Sequence, residues 1–258
     1  MDAAIALTQV SKRFGPGPPA LTDVSLSVAA REFLAIVGGS GSGKTTLLRL
    51  INRLADPSAG TVEVRGADLR SLDAVTLRRS IGYVFQGIGL FPHFTVAENI
   101  AITPKLLGWD AARRQARAAE LLELVRLGAS YATRFPHELS GGERQRVGVA
   151  RALAAKPEIV LMDEPFGALD PLTRDALIQD YRRLHETLGL TSVMVTHDVL
   201  EALLFADRIV VMQSGRMIAQ GAPAALMSDD HPYVRELMQT PRRQAARLTA
   251  FLDGRAPE

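Results

Sequence analysis

Eight consecutive residues, Gly38-Gly39-Ser40-Gly41-Ser42-Gly43-Lys44-Thr45, fit the pattern GxxxxGK[ST]. Phe33 to Val37 before them is an apolar run stopped by glycine, which reads as a buried strand. Leu47, Leu48, Leu50, Ile51 and Leu54 after them recur at helical spacing. Strand, loop and helix in that order are what this pattern requires. Glycines let the loop wrap closely with its N–H groups turned inward, so that it cradles phosphate oxygens. The following helix N-terminus adds partial positive charge facing the same anion. Lys44 is suited to the β- and γ-phosphates, the Thr45 hydroxyl to Mg2+, and Thr46 joins the expected lining. A glycine-rich turn capped by Thr45 is the plainer alternative, disfavoured by the flanking strand and helix.

A second set of polar residues lies at other strand ends. Asp163 and Glu164 follow the apolar run Ile159 to Met162, at the carboxyl end of a strand, where open α/β sheets bind ligands. Adjacent carboxylates can divide two tasks, Asp163 holding a hydrated metal and Glu164 polarising the attacking water. Gln86 ends the expected strand Ile81 to Phe85, and its amide can bind a metal or water without changing charge. His197 follows the strand Ser192 to Val195 and could hydrogen-bond a γ-phosphate or an attacking water. His93, His137, His185 and His231 show no metal-ligand spacing. In Leu139-Ser140-Gly141-Gly142-Glu143-Arg144-Gln145-Arg146, Ser140 is placed to cap a helix. Glu143 stands three residues on, as in a capping box. The glycines Gly141 and Gly142 leave that helix end open to a second phosphate group.

The elements around these residues alternate. Ile5 to Val10 and Val24 to Val28 alternate apolar with polar and predict an early antiparallel sheet beside the nucleotide core, and Thr61 to Gly66 reads as another alternating strand ended by glycine. Gly15-Pro16-Gly17-Pro18-Pro19 is a loop. From Pro92 to Leu127 the pattern turns helical, and a further helix starts near Gly142, so a helical subdomain is expected over about residues 88–155. Pro171 to Leu188 predicts a helix with proline in its first turn; Val199 to Ala206 another, and Arg208 to Met212 a strand. Strands alternating with helices predict a largely parallel sheet covered on both faces. The nucleotide-binding domain is expected over 1–238 and a polar tail, helical or disordered, over 239–258.

The 258 residues are 47% hydrophobic and 22% charged with a formal net charge of +2, too small to argue for nucleic acid. No cysteine is present, which removes disulfides, thiolate metal sites and thiol nucleophiles. The N-terminus lacks a basic region and long apolar core, so no signal peptide is expected. No apolar stretch approaches the roughly 18–20 residues of a membrane span.

Across about residues 5–235 the chain resembles the ATP-binding cassette (ABC) ATPases. Gly38 to Thr45 resembles the Walker A loop, Ile159 to Asp163 the Walker B strand, Glu164 the catalytic glutamate and Leu139 to Gln145 the ABC signature. Gln86 resembles the Q-loop residue, Ala168-Leu169-Asp170 the D-loop and His197 the switch histidine. Gly167 stands where serine is common. The resemblance implies a P-loop core of mostly parallel strands flanked by helices, with an N-terminal antiparallel β subdomain and an inserted helical subdomain. It implies Mg2+ and ATP as ligands, the latter stacked on Phe14, whose alternative place is the core. It also implies two copies, or a copy and a similar subunit, arranged head to tail. Each ATP then lies between Lys44 of one copy and Ser140, Gly141 and Gly142 of the other, with Asp170 nearby.

In transporter members the segment after Gln86 receives a helix of the membrane permease. Gln86 to His93 is apolar for a loop, so Leu90 and Phe91 are expected either to anchor that helix or to be buried under the helical subdomain. Ile51-Asn52-Arg53-Leu54, Leu77 to Val84, Gly89 to His93 and Thr103 to Trp109 resemble the osmoprotectant branch, importers of glycine betaine, choline, carnitine and similar quaternary amines. The chain departs from that branch at Gly87, where glutamine is frequent, and ends at Glu258 without room for tandem regulatory domains. The expected place is the cytoplasmic face of the membrane, with permease subunits as direct partners, an extracytoplasmic solute-binding protein as an indirect one, and no nucleic acid. The alternatives are a soluble cassette acting on DNA or ribosomes, a transporter of another substrate and a nucleotide-binding regulator.

Overall fold

The computed structural model describes residues 3–252. Alternating side chains build a first sheet from β1 (Ala3–Lys12), β2 (Leu21–Ala29), and, after the strand and helix named next, β4 (Ala59–Val64) and β5 (Ala67–Asp68). All its pairings are antiparallel. Between them β3 (Phe33–Val37) runs into the glycine loop and α1 (Lys44–Ile51). Then come α2 (Ala74–Ser80), β6 (Ile81–Val84), α3 (Val96–Leu106), α4 (Ala111–Leu124), α5 (Gly141–Leu153) and β7 (Ile159–Asp163). The chain continues with α6 (Pro171–Leu188), β8 (Thr191–Val195), α7 (Val199–Phe205), β9 (Arg208–Gln213), β10 (Arg216–Gly221), α8 (Pro223–Leu226) and α9 (Pro232–Leu252).

The second sheet has the order β10-β9-β3-β8-β7-β6. It is parallel except for β10, which returns antiparallel on β9. Its central strand β3 is apolar at every position because both faces are covered. Phe33, Ala35 and Val37 point into the core shared with α3 to α7, and Leu34 and Ile36 into the core under α1 and the first sheet. Leu47, Leu48, Leu50 and Ile51 of α1 are fully buried, each contributing about 1.5–3 kcal/mol. That packing fixes α1, and with it the loop that opens it.

Several boundaries differ from the sequence reading. The strand expected to reach Phe85 ends at Val84, and the first helix after Pro92 begins at Val96. Short α2, α8 and the edge strand β10 carry too little periodicity to be read. Of the two alternatives for the tail after 238, residues 239–252 take the helical one, as the continuation of α9 through Pro241. The remaining tail residues, 253–258, lie outside the described residues.

Candidate nucleotide site

In the second sheet β3, β8, β7 and β6 are consecutive neighbours and parallel. Their carboxyl ends therefore lie in one row, with adjacent strands about 4.8 Å apart. The row carries the glycine loop after β3, His197 after β8, Asp163 and Glu164 at the end of β7, and Gln86 after β6.

The loop takes its shape from close backbone approaches. At Gly38 a Cβ would stand 2.1 Å from the Met212 carbonyl oxygen, and at Gly43 2.6 Å from that of Ala20. Gly43 is also left-handed (φ 101°) at the N-cap of α1, where no side chain caps the helix. The first amides of α1 are thus left without a side-chain partner. Lys44 is buried and its Nζ donates to the carbonyls of Gly38 (2.7 Å) and Gly39 (2.9 Å). Burial lowers its pKa, opposed by the attraction of Glu164 and Asp163. The Thr45 hydroxyl donates to Asp163 Oδ1 at 3.0 Å. Burial raises the Asp163 pKa, the Thr45 hydrogen bond opposes this, and Glu164 adds to the rise.

Glu164 adopts a left-handed conformation (φ 44°), uncommon for a residue with a Cβ, and its N–H donates to the Val195 carbonyl at 2.9 Å. Its Oε2 accepts from Gln86 Nε2 at 3.0 Å and lies 3.3 Å from His197 Nδ1. Three residues chosen from separate stretches of sequence meet at one carboxylate oxygen. The loop bearing His197 is braced behind: the Thr196 hydroxyl donates to buried Glu201 at 2.7 Å, and Arg174 pairs with Asp198 at 3.4 Å. Burial pushes the Glu201 carboxyl up.

Ser140 caps α5 with a full capping box: Glu143 N–H donates to Ser140 Oγ and Ser140 N–H to Glu143 Oε2. Tyr131 also donates to Glu143, which, with the Ser140 bonds, holds its pKa down. Gly141 lines a cavity of about 310 Å³ together with Gln86, Glu164, His197 and Leu169. Gly142 lies against Thr173, where a Cβ would stand 2.5 Å from the threonine methyl. The Asp170 carboxylate caps α6 by accepting from Thr173 N–H at 3.0 Å, and the residue is exposed. Phe14 is 53% exposed with Lys12 Nζ 4.8 Å from its ring centroid, so its alternative place in the core is ruled out.

Sequence reasoning missed Arg151. From α5 its buried guanidinium donates to the carbonyls of Ile88 (2.7 Å) and Gly89 (2.6 Å), holding the segment after Gln86. No local pattern marks that role, because it spans more than sixty residues. A groove of about 540 Å³ opens beside this segment, lined by Leu54, Tyr83, Phe85, Phe91 and Leu106. Phe91 is in it, whereas Leu90 packs against the core, so the expected pair of anchors is divided.

Among the described residues no group of three or more His, Cys, Asp or Glu could hold a metal alone. The donors present, a threonine hydroxyl and one carboxylate, suit Mg2+, which keeps waters and is otherwise held by substrate phosphates. The residues fit the ion.

The family model for "ABC transporter" matches residues 21–167. The choline transport ATP-binding protein OpuBA of Bacillus subtilis is 52% identical over 219 residues, 85% of this chain and 58% of its own. The glycine betaine uptake system ATP-binding protein YehX of Escherichia coli is 49% identical over 224 residues, 87% and 72% respectively. An ATP-binding cassette solved as a dimer in a post-hydrolysis state with ADP and Pi superposes with TM-score 0.77 at 36% identity, covering 85% of this chain and 98% of that one. The fold is that of an ATP-binding cassette, and the chain belongs to the ABC transporter family. It spans less than two thirds of the length of the first of these relatives.

Proposed function

We propose that this chain is the ATP-binding subunit of an importer, hydrolysing ATP between two copies arranged head to tail to drive uptake of an osmoprotectant quaternary amine. The observation that carries the reading is the meeting of Gln86, Glu164 and His197 at one oxygen, beside the Thr45–Asp163 bond and the uncapped end of α1. Names of relatives that move choline and glycine betaine support the solute class. The dimeric state of a solved cassette supports the pairing.

In this reading Lys44 exchanges the carbonyls of Gly38 and Gly39 for β- and γ-phosphate oxygens, and the N–H groups of the loop and α1 hold the rest. Thr45 and Asp163 hold Mg2+, which when bound neutralises phosphate charge. Glu164 accepts a proton from the water that attacks the γ-phosphorus, the bond to the β-phosphate oxygen breaks, and ADP and phosphate leave. Gln86 and His197 orient that water and the γ-phosphate. Ser140, Gly141 and Gly142 of the second copy complete the site, with Asp170 positioning the neighbouring turn and Phe14 stacking on adenine. The domain spans residues 1–238, and residues 88–155 form its helical subdomain.

The groove beside Phe91 takes a helix of the permease, with Phe91 rather than Leu90 as its aromatic anchor. In this reading the protein works at the cytoplasmic face of the membrane. The test is recovery of tagged protein from mild-detergent extracts of its own cells, with mass spectrometry of its companions. A polytopic permease accompanied by an amine-binding protein is expected. Ribosomal or DNA-repair partners without any membrane protein would overturn the transport reading and leave the ATPase.

A further inference from the structure

The glycine loop is held from outside by parts of the chain that lie beyond the family-matched stretch. Gly215 N–H, in the turn between β9 and β10, donates to the Ser42 carbonyl at 3.1 Å. Gly39 N–H donates to the phenol oxygen of Tyr233, on the first turn of α9, at 2.9 Å across 194 positions of sequence. Tyr233 closes one side of a polar hollow of about 140 Å³ whose other walls are Gly39, Ser40, Ser42, Gln213 and Ser214. The helix that carries it is anchored, since Val234 and Met238 are fully buried.

We propose that Tyr233 is a positioning residue that couples α9 to the phosphate loop. This rests on the reading of Gly38 to Thr45 as an ATP-binding loop. Gly39 N–H and the Gly38 carbonyl belong to the same peptide group, which is planar and trans, so they point in opposite directions. The carbonyl accepts from Lys44 Nζ at 2.7 Å while the N–H donates to Tyr233. The phenol thus sets the orientation of the peptide against which the Lys44 ammonium rests. Without it that peptide is free to rotate toward the hollow, and nucleotide binding must remove the freedom. Ordering done in advance raises affinity without adding a contact to the ligand. Coupling of this kind is reciprocal: a tethered loop filled by ATP steadies the first turns of α9.

The experiment compares the full chain with Tyr233→Phe, which keeps the ring and removes only the hydroxyl. ATP affinity, nucleotide-free thermal unfolding and amide exchange of residues 233–238 with and without ATP are measured. A net hydrogen bond is worth about 0.5–1.5 kcal/mol, so the Kd for ATP should rise roughly two- to tenfold. The nucleotide-free melting temperature should fall by a few degrees at most, the loss of one hydrogen bond. ATP should slow exchange in 233–238 in the wild type and not in the variant. Equal ATP affinity in the two proteins overturns the coupling and leaves the nucleotide site standing. A nucleotide-free melting temperature lowered by well over ten degrees, with amide exchange faster throughout the chain, reduces Tyr233 to packing and overturns it too. A wild-type chain that binds no ATP overturns both the coupling and the reading on which it rests.

Discussion

The N-terminus of α1 has no side-chain cap, because Gly43 precedes it in a left-handed conformation. The N-terminus of α5 is closed by Ser140 and Glu143 in a capping box. Both are glycine-preceded or glycine-opened helix ends that suit phosphate, yet only one is satisfied by its own sequence. An uncapped end leaves donors that a ligand or water must fill. It lies beside Lys44, whose ammonium rests on the loop carbonyls. At the end of α5 the box satisfies the amides of Ser140 and Glu143, the cap being worth about 1 kcal/mol. Its approach stays open, since a Cβ at Gly141 would meet only Leu169, at 3.8 Å. One end is built to be occupied by the nucleotide its own chain binds. In the proposed head-to-tail pairing the other meets a nucleotide that a second copy brings.

The largest effect expected is at the carboxylate between the two ends. Glu164→Gln removes a general base and should slow hydrolysis by roughly 10² to 10⁴, while ATP still binds and holds two copies together. Steady-state turnover and gel filtration with ATP check this; turnover at the wild-type rate would move the base elsewhere. Next is Gly141→Asp. A carboxylate in the first turn of α5 favours the helix dipole, so the fold is retained. Against a partner's phosphates, like charge costs several kcal/mol, and turnover should fall roughly a hundredfold or more. Affinity of the single copy for ATP should not change, and if it falls as well, the two ends are not separate sites.

Phe14→Ala tests the loop half alone. Loss of base stacking should weaken ATP binding by about 1–3 kcal/mol, with hydrolysis at saturating ATP preserved. An unaltered Kd would remove the ring from the site. The smallest effect lies away from both ends, at His185 on α6, buried against Phe33 with Nδ1 3.0 Å from Ser192 Oγ. Burial, with Arg182 nearby, lowers its pKa below the ordinary 6.5. Below that value the unfolded chain binds the proton more readily, so stability falls as pH drops from about 6.5 toward the folded value. The slope is at most about 1.4 kcal/mol per pH unit. Urea titrations of the wild type and His185→Gln across that range should differ in slope; parallel curves would show that His185 does not titrate on unfolding.

The elements that could be read from the chain were those with a complete local signal. Pro171 to Leu188 starts at a proline and runs to a left-handed Gly189, and the helix occupies that span. β3 and β7 are apolar at nearly every position because both their faces are covered. Where the signal was partial, alternatives stayed open. The polar, Arg- and Ala-rich composition after Gln239 suits a helix and a disordered tail alike, and α9 continues there even through Pro241, which lacks the N–H that a helix interior uses. Leu90 and Phe91 are both apolar, and nothing local distinguishes the one that faces the core from the one that is 41% exposed in the groove.

Residue types and short spacings alone determined the phosphate loop, the acidic strand end and the cap at Ser140, since each is a local arrangement within a few residues. The order β3-β8-β7-β6 was decided only by the folded sheet. That order brings Gln86, Glu164 and His197 to one oxygen, while the packing of α5 directs Arg151 to the segment after Gln86 and that of α9 on α7 and α8 lets Tyr233 reach Gly39. These contacts join residues tens to nearly two hundred positions apart. Their strength comes from which strands are neighbours and which helices cover them, and no periodicity along the chain encodes that.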